Sequence, residues 1–126
     1  MALDPRDKEA LEKIGEADSH LTFPLTHAKI QAGLHPEENG PLKPAQVRGT
    51  LSRTYLPIIE DGIQSLTLAL QLDASYGDAM SYLGLLLRDR ALLQDSPEAS
   101  AADGRLADEW NLKAIAIEKD AKSGLR

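Results

Sequence analysis

Apolar residues recur at three- and four-residue spacing along most of the chain, a period that predicts helices and not strands. Ala10, Leu11, Ile14, Gly15 and Ala17 mark one face of a first helix. Asp4-Pro5-Arg6-Asp7 precedes it as turn chemistry, with proline setting φ and Asp7 placed to begin the helix. Phe23-Pro24 closes that helix, and a short second one runs to about Ala32. Gly33, Pro36, Gly40 and Pro41 make residues 33–43 an ordered loop, and Pro44 suits the first turn of the next helix. From Ala45 the positions Val47, Leu51, Tyr55, Ile58, Ile59, Gly62, Ile63, Leu66, Ala69 and Leu70 keep helical spacing to Leu72. Pro57 lies inside that run and predicts a kink. After a turn of four or five residues, Ser75 is placed as a cap with Asp78 in the capping-box position, and Met80, Leu83, Gly84 and Leu87 resume the helical period. Ser96-Pro97-Glu98 restarts a last helix that carries Leu106, Ala107, Trp110, Ala114 and Ile117 on one side. Past Lys119, residues Lys122, Ser123, Gly124 and Arg126 predict a fraying basic end.

Small residues recur at matched places in this pattern. Leu11-x2-Ile14-Gly15 and Met80-x2-Leu83-Gly84-x2-Leu87 share one spacing, while Gly62-x3-Leu66-x2-Ala69 is echoed by Ala107 and Ala114. A missing side chain lets a paired helix come close, so Gly15, Gly62, Ala69, Gly84, Ala107, Trp110 and Ala114 are the candidate packing positions. In this order and register the chain resembles a tetratricopeptide (TPR) protein, whose signature is Trp-x2-Leu-Gly-x2-Tyr in one helix and Ala-x3-Phe, Ala and Pro through the next. More narrowly it is similar to a bacterial, acidobacterial-type TPR family with a lengthened repeat in its C-terminal portion. The strings that carry this are Gly33-Leu34-His35-Pro36-Glu37, Gly40-Pro41-Leu42, Leu56-Pro57-Ile58-Ile59-Glu60-Asp61-Gly62-Ile63, Asp78-Ala79-Met80-Ser81-Tyr82-Leu83 and Ala107-Asp108-Glu109-Trp110. Asp18 in a tyrosine slot, Ala74 in place of a proline, the scarcity of aromatics and the insertions within both repeats depart from the pattern. The resemblance implies an all-α fold of helix-turn-helix pairs stacked as a short right-handed superhelix. Its first extended repeat would span 4–72 with the loop 33–43, its second 73–120, and residues 121–126 would be a frayed tail.

At 126 residues the chain is one domain's worth and buries a modest core. Apolar content is 42%, carried by alanine and leucine, with five aromatics in all, which suits close-packed helices. The net charge of −6 argues against duplex nucleic acid and anionic lipid as partners and favours a basic one. Without cysteine there are no disulfides or thiolate metal sites. No run of about 18 apolar residues predicts a membrane span, and Met1-Ala2-Leu3 lacks the pattern of a signal peptide. Met1-Ala2-Leu3-Asp4-Pro5 reads as a helix end followed by a turn, so a longer parent is expected and the compartment stays open.

Chemistry-bearing constellations are sparse. His20 and His27 are seven residues apart, with Glu16 one turn before, a weak metal set that Pro24 interrupts; no His-Glu-x2-His pairing exists. Trp110, Tyr82, Met80 and Phe23 can be drawn as an aromatic pocket, although large residues at helical spacing are more often plain core. Asp108-Glu109 and Glu37-Glu38 point in different directions on a helix and read as solvated surface. There is no Gly-x-Ser-x-Gly elbow and no glycine-rich phosphate loop, so neither catalysis nor a cofactor is predicted.

The resemblance implies a peptide groove lined by Glu9, Glu12, Glu16 and Ser19 in the first unit and by Asp78, Ser81, Leu85 and Arg88 in the second. The lysine and asparagine that hold a ligand's terminal carboxylate in chaperone-adaptor TPRs are absent there. Three glutamates in a row repel carboxylates and attract Lys or Arg, so the groove is expected to take basic or mixed peptides; the plainer reading is a solvated helix face. The expected function is a non-enzymatic protein–protein interaction scaffold. The alternatives are a small metal- or ligand-binding helical domain using Glu16, His20, His27 and Trp110, or an accessory domain of a larger protein. Two units leave an end face bare. A homo-oligomer or domain-swapped dimer is therefore expected, covering Leu11, Ile14, Leu25 and Ile30 or exchanging helices through the 33–43 loop.

Overall fold

Asp7 begins the fold. Its Oδ1 accepts the N–H groups of Glu9 and Ala10 at 3.1 Å each, capping α1 (Lys8–Leu21). The computed structural model describes residues 7–35 and 37–123. The turn expected at 4–6, the helix end expected at 1–3, Pro36, Gly124 and Arg126 lie outside them. All regular structure among the described residues is helical: α2 (Pro24–Gln31), α3 (Ala45–Leu72), α4 (Gly77–Leu93) and α5 (Pro97–Ser123) complete it. Pro24 at the start of α2 needs no N–H there, and Gly33 at φ +81° ends that helix in the left-handed conformation. Pro57 is accommodated inside one continuous α3. α5 runs through Ser123, past the expected fraying point at Lys119.

Two starts differ in detail. The turn before α4 is organised by Asp73, not by a Ser75 cap: Asp73 Oδ1 accepts the Ser75 N–H at 3.1 Å and the Ser75 hydroxyl at 3.0 Å. Tyr76 precedes the helix without any side-chain cap. Asp73 Oδ2 also receives Lys8 Nζ at 2.7 Å, and this bond and those from Ser75 hold its carboxyl down to about 2. The start of α1 is thereby tied to the α3–α4 turn. Before α5, Ser96 Oγ does accept the Ala99 N–H at 3.1 Å, with Pro97 in the first position.

α4 is the central element and touches each of the other four helices; α1 also lies on α3. Its residues Ala79, Met80, Leu83, Leu86 and Leu87 join Leu11, Leu25, Ile59, Leu66, Ala69 and Ala107 in one buried cluster. Leu11 and Leu25, two members of the stripe expected to be bare, are thus covered within the chain itself; of the other two, Ile14 is half-buried and Ile30 stays exposed. The periodicity located the stripe, but the covering surface comes from residues far along the chain.

Helices meet where side chains are missing. A Cβ on Gly15 would fall inside the Leu66 side chain, and one on Gly62 would lie 3.0 Å from Asp18 Cβ while colliding with Leu86. A Cβ on Gly84 would stand 3.3 Å from the Ala107 carbonyl. Ala69, Ala107 and Ala114 are buried, and Trp110 is half-buried against the core with Lys113 Nζ 4.5 Å from its ring centre. Arg90 on α4 ties three helices together: it donates to Asp103 on α5 through Nε (3.1 Å) and Nη2 (2.9 Å), and to Glu60 on α3 through Nη1 (3.1 Å). The bidentate pair matters because Asp103 is 4% exposed and has lost its water. Gly40 and Leu42 lie on the end of α4, where the Leu42 N–H donates to the Leu92 carbonyl at 2.9 Å and Leu42 is buried. Gly40, at φ +108°, makes that approach possible: a Cβ there would be 3.1 Å from Leu92 Cα.

Gly15→Ala is expected to lower stability by up to about 2 kcal/mol, because overpacking of about 1–3 kcal/mol is offset by a helix-propensity gain of about 1 kcal/mol. Gly49→Ala, in α3 with nothing within 4 Å of the new methyl, is expected to raise it by about 0.5–1 kcal/mol. Urea melts of the two variants check the pair; equal effects would mean that α1 and α3 do not meet at Gly15.

Candidate functional site

The residues expected to line one groove separate into three environments. Glu9, Asp78 and Ser81 are exposed, and Glu16 is half-buried with Oε2 3.1 Å from Lys13 Nζ. Glu12 is not open to a ligand: it is 3% exposed and its Oε2 is buried without a donor. Burial, followed by the charges of Glu16, Asp78 and Glu9 against the opposing Lys13, raises its carboxyl above the ordinary range. Ser19, Leu85 and Arg88 line a cavity of about 450 Å³.

That cavity is made by α1's last turn, by α2 and by α4. Its apolar wall is Phe23, Ile30, Leu34, Tyr82, Leu85 and Leu92, and its polar side chains include His20, Thr26, Lys29, Arg88 and Asp89. α2 forms one side because Leu25 is fully buried and anchors it on the core, leaving Ile30 and Phe23 directed into the opening. Phe23 and Tyr82 therefore do share a pocket, but Met80 is buried in the core and Trp110 packs on the core. Asp78 and Ser81 belong to a different, open depression shared with Ala114, Ile117 and Glu118 of α5.

Asp89 is the polar anchor of the cavity. Thr22, itself fully buried, has its hydroxyl oxygen 2.6 Å from Asp89 Oδ2 and 3.1 Å from the Ser19 carbonyl. The Thr22 hydroxyl donates to Asp89 Oδ2 over the shorter of the two contacts, a bond that favours the ionised carboxylate. Burial outweighs it and pushes the Asp89 carboxyl up to about 7, against the opposing pull of Thr22 and the Lys29 charge. A second acid behaves alike. Asp18 Oδ2 is buried with no N–H or O–H donor, and burial and the adjacent Asp61 carboxyl raise Asp18 to about 7. Lys29 is lowered, first by burial and then by Arg88. Arg88 in turn pairs with Asp108 across to α5.

The weak metal set does not assemble. α1 ends at Leu21, so His20 and His27 sit on separate helices, both exposed. Among the described residues no group of three His, Cys, Asp or Glu side chains could hold an ion. No described helix is long and apolar enough to cross a membrane. Thr22, Lys29 and Asp89 were not marked by any motif; the available signal was an acid, Asp89, on a stripe with Leu85 and Leu92.

Proton linkage gives these acids a sign. In the unfolded chain Asp89 loses its proton near 3.8, while the folded chain keeps it to about 7. The stabilisation is therefore complete below about 3.8 and is lost as pH rises through about 7. The melting temperature is expected to be higher at about pH 5.5 than at about pH 8. Asp89→Asn, which keeps an N–H to give to Thr22, is expected to melt above the parent at the higher pH and to flatten the profile. A profile as steep in the variant as in the parent would remove Asp89 as a source.

No protein-family model, curated protein or solved structure matches this chain.

Proposed function

We propose that this chain is a non-enzymatic protein–protein interaction scaffold of the tetratricopeptide kind, with a bias toward basic or mixed peptides. The observation that carries the reading is the placement of α1 beside α4, each backed by a longer helix, α3 and α5 respectively. Glu12 lies near Asp78, Glu16 near Tyr82 and Thr22 against Asp89, so the two helices run in the same direction. Their exposed ends bring Glu9, Asp78 and Ser81, with Glu16 beside them, to one edge of the molecule. Glu9 and Asp78 at that edge, with Glu16 already shared with Lys13, favour the cationic side chains of a partner in a chain of net charge −6. Such rim charges act chiefly on encounter rate and choice of partner, and they weaken as salt rises.

The test is a pair of fluorescence-anisotropy titrations, one with a lysine-rich peptide and one with a peptide ending in Glu-Glu-Val-Asp. The lysine-rich peptide is expected to bind more tightly, with several-fold loss in the double variant Glu9→Gln, Asp78→Asn and further loss at raised salt. Tighter binding of the acidic tail would overturn the charge bias, and binding of neither peptide would remove the scaffold reading at this edge.

A further inference from the structure

The cavity beneath α2 includes none of Glu9, Asp78 and Ser81, and it gathers apolar side chains that the fold leaves in water. Phe23 at 71% exposure and Ile30 at 67% are the two most exposed large hydrophobic side chains among the described residues, and both line it. Leu85 of α4 lines it too and is 53% exposed. Such residues need no explanation when scattered, but here they converge on one concavity. Its volume of about 450 Å³ lies within the roughly 300–1,000 Å³ of small-ligand pockets. The walls are also fixed in place. Leu25 is fully buried and anchors α2, while the Thr22 hydroxyl, 2.6 Å from Asp89 Oδ2, ties the α1–α2 turn to α4.

The ions that line the opening are met within the chain. Arg88 pairs with Asp108 of α5. Lys29 already has a partner interaction, and the charges of Glu37, Glu38 and Asp89 act on it against that of Arg88. Neither sign is therefore left over to select an ion, yet both signs stand at the rim. An ammonium head would meet Lys29 and Arg88, and a carboxylate head would meet Asp89 whenever that group is ionised. Drawing a charged head out of water into such a place is costly without a partner of its own. A hydroxyl loses less water, and it can both give and accept a hydrogen bond. Asp89 calls for that versatility, because Thr22 favours its ionised form while burial favours its neutral one.

We propose that this cavity binds a neutral, single-chain amphiphile with a hydroxyl head, the hydroxyl at Asp89 and the hydrocarbon body on Phe23, Ile30, Leu34 and Leu85. The site goes beyond the scaffold reading and does not depend on it.

The experiment compares decanol, its methyl ether, decanoate and decylamine, each below the concentration at which it self-associates, by calorimetry and by amide NMR shifts on the full chain. Decanol is expected to bind one to one, about tenfold or more tightly than either charged analogue, with shifts centred on α2 and on α4 around Leu85. The methyl ether, which has no proton to give, is expected to bind about three- to tenfold more weakly than decanol. Phe23→Ala and Leu85→Glu change side chains already largely in water and should keep the fold. The first is expected to weaken decanol about tenfold by removing apolar wall, and the second to abolish its binding by placing a charge there. Asp78→Asn should leave decanol binding unchanged, which separates this site from the proposed peptide edge. Equal or tighter binding of the acid or the amine, equal binding of the ether, shifts elsewhere in the chain, or no binding of decanol would each overturn the proposal.

Discussion

The fold depends on the absence of side chains where α1, α3 and α4 converge. Gly62 on α3 faces both Asp18 of α1 and Leu86 of α4, and Gly15 on α1 receives the whole Leu66 side chain. Interiors packed to crystal-like density have no room for an added methyl at such places, so these two positions set the separation of the three helices. Everything that follows in the molecule inherits that separation. The contact of Gly84 with the Ala107 carbonyl repeats the device between α4 and α5.

Close approach has an electrostatic consequence. With α1 drawn down onto α3 and α4, acids on its inner side lose their water: Glu12 and Asp18 are both buried, each with an oxygen that finds no donor. A charge so placed is costly unless it is paired or neutralised, and protonation is the neutralising route open to both. Asp103 takes the other route, through Arg90 and through Gln94 Nε2 at 2.8 Å. The molecule therefore carries two kinds of buried carboxylate. One kind is satisfied by donors and fixes α5 to α4; the other lacks donors and is pushed upward by burial, Asp18 to about 7.

The short α2 follows from the same geometry. α1 cannot continue past Leu21 because Pro24 lacks the N–H that an unbroken helix would need, so the chain turns at Thr22-Phe23 and starts again. Leu25 then holds α2 to the core, and Phe23, Thr26, Lys29, Ile30 and Leu34 line the space between that anchor and α4. A cavity remains because eight residues of helix give too little surface to fill it. Its chemistry is decided by what α4 presents there, namely Leu85, Arg88 and Asp89.

Spacing along the chain was enough to determine the helices, the break at Pro24, the caps at Asp7 and Ser96, and the small residues Gly15, Gly62, Gly84 and Ala107 that stand at helix contacts. These are local matters: a period of 3.6, a proline's missing N–H and a glycine's missing Cβ can be read from neighbours a few residues apart. Which acids are buried, which expected groove positions stay open, and what closes over Leu11 and Leu25 were decided only by the tertiary structure. Thr22 and Asp89 are 67 residues apart, and the solvent around each is removed by helices from elsewhere in the chain. A side chain's dielectric surroundings belong to the assembled fold, and no pattern within one helix contains them.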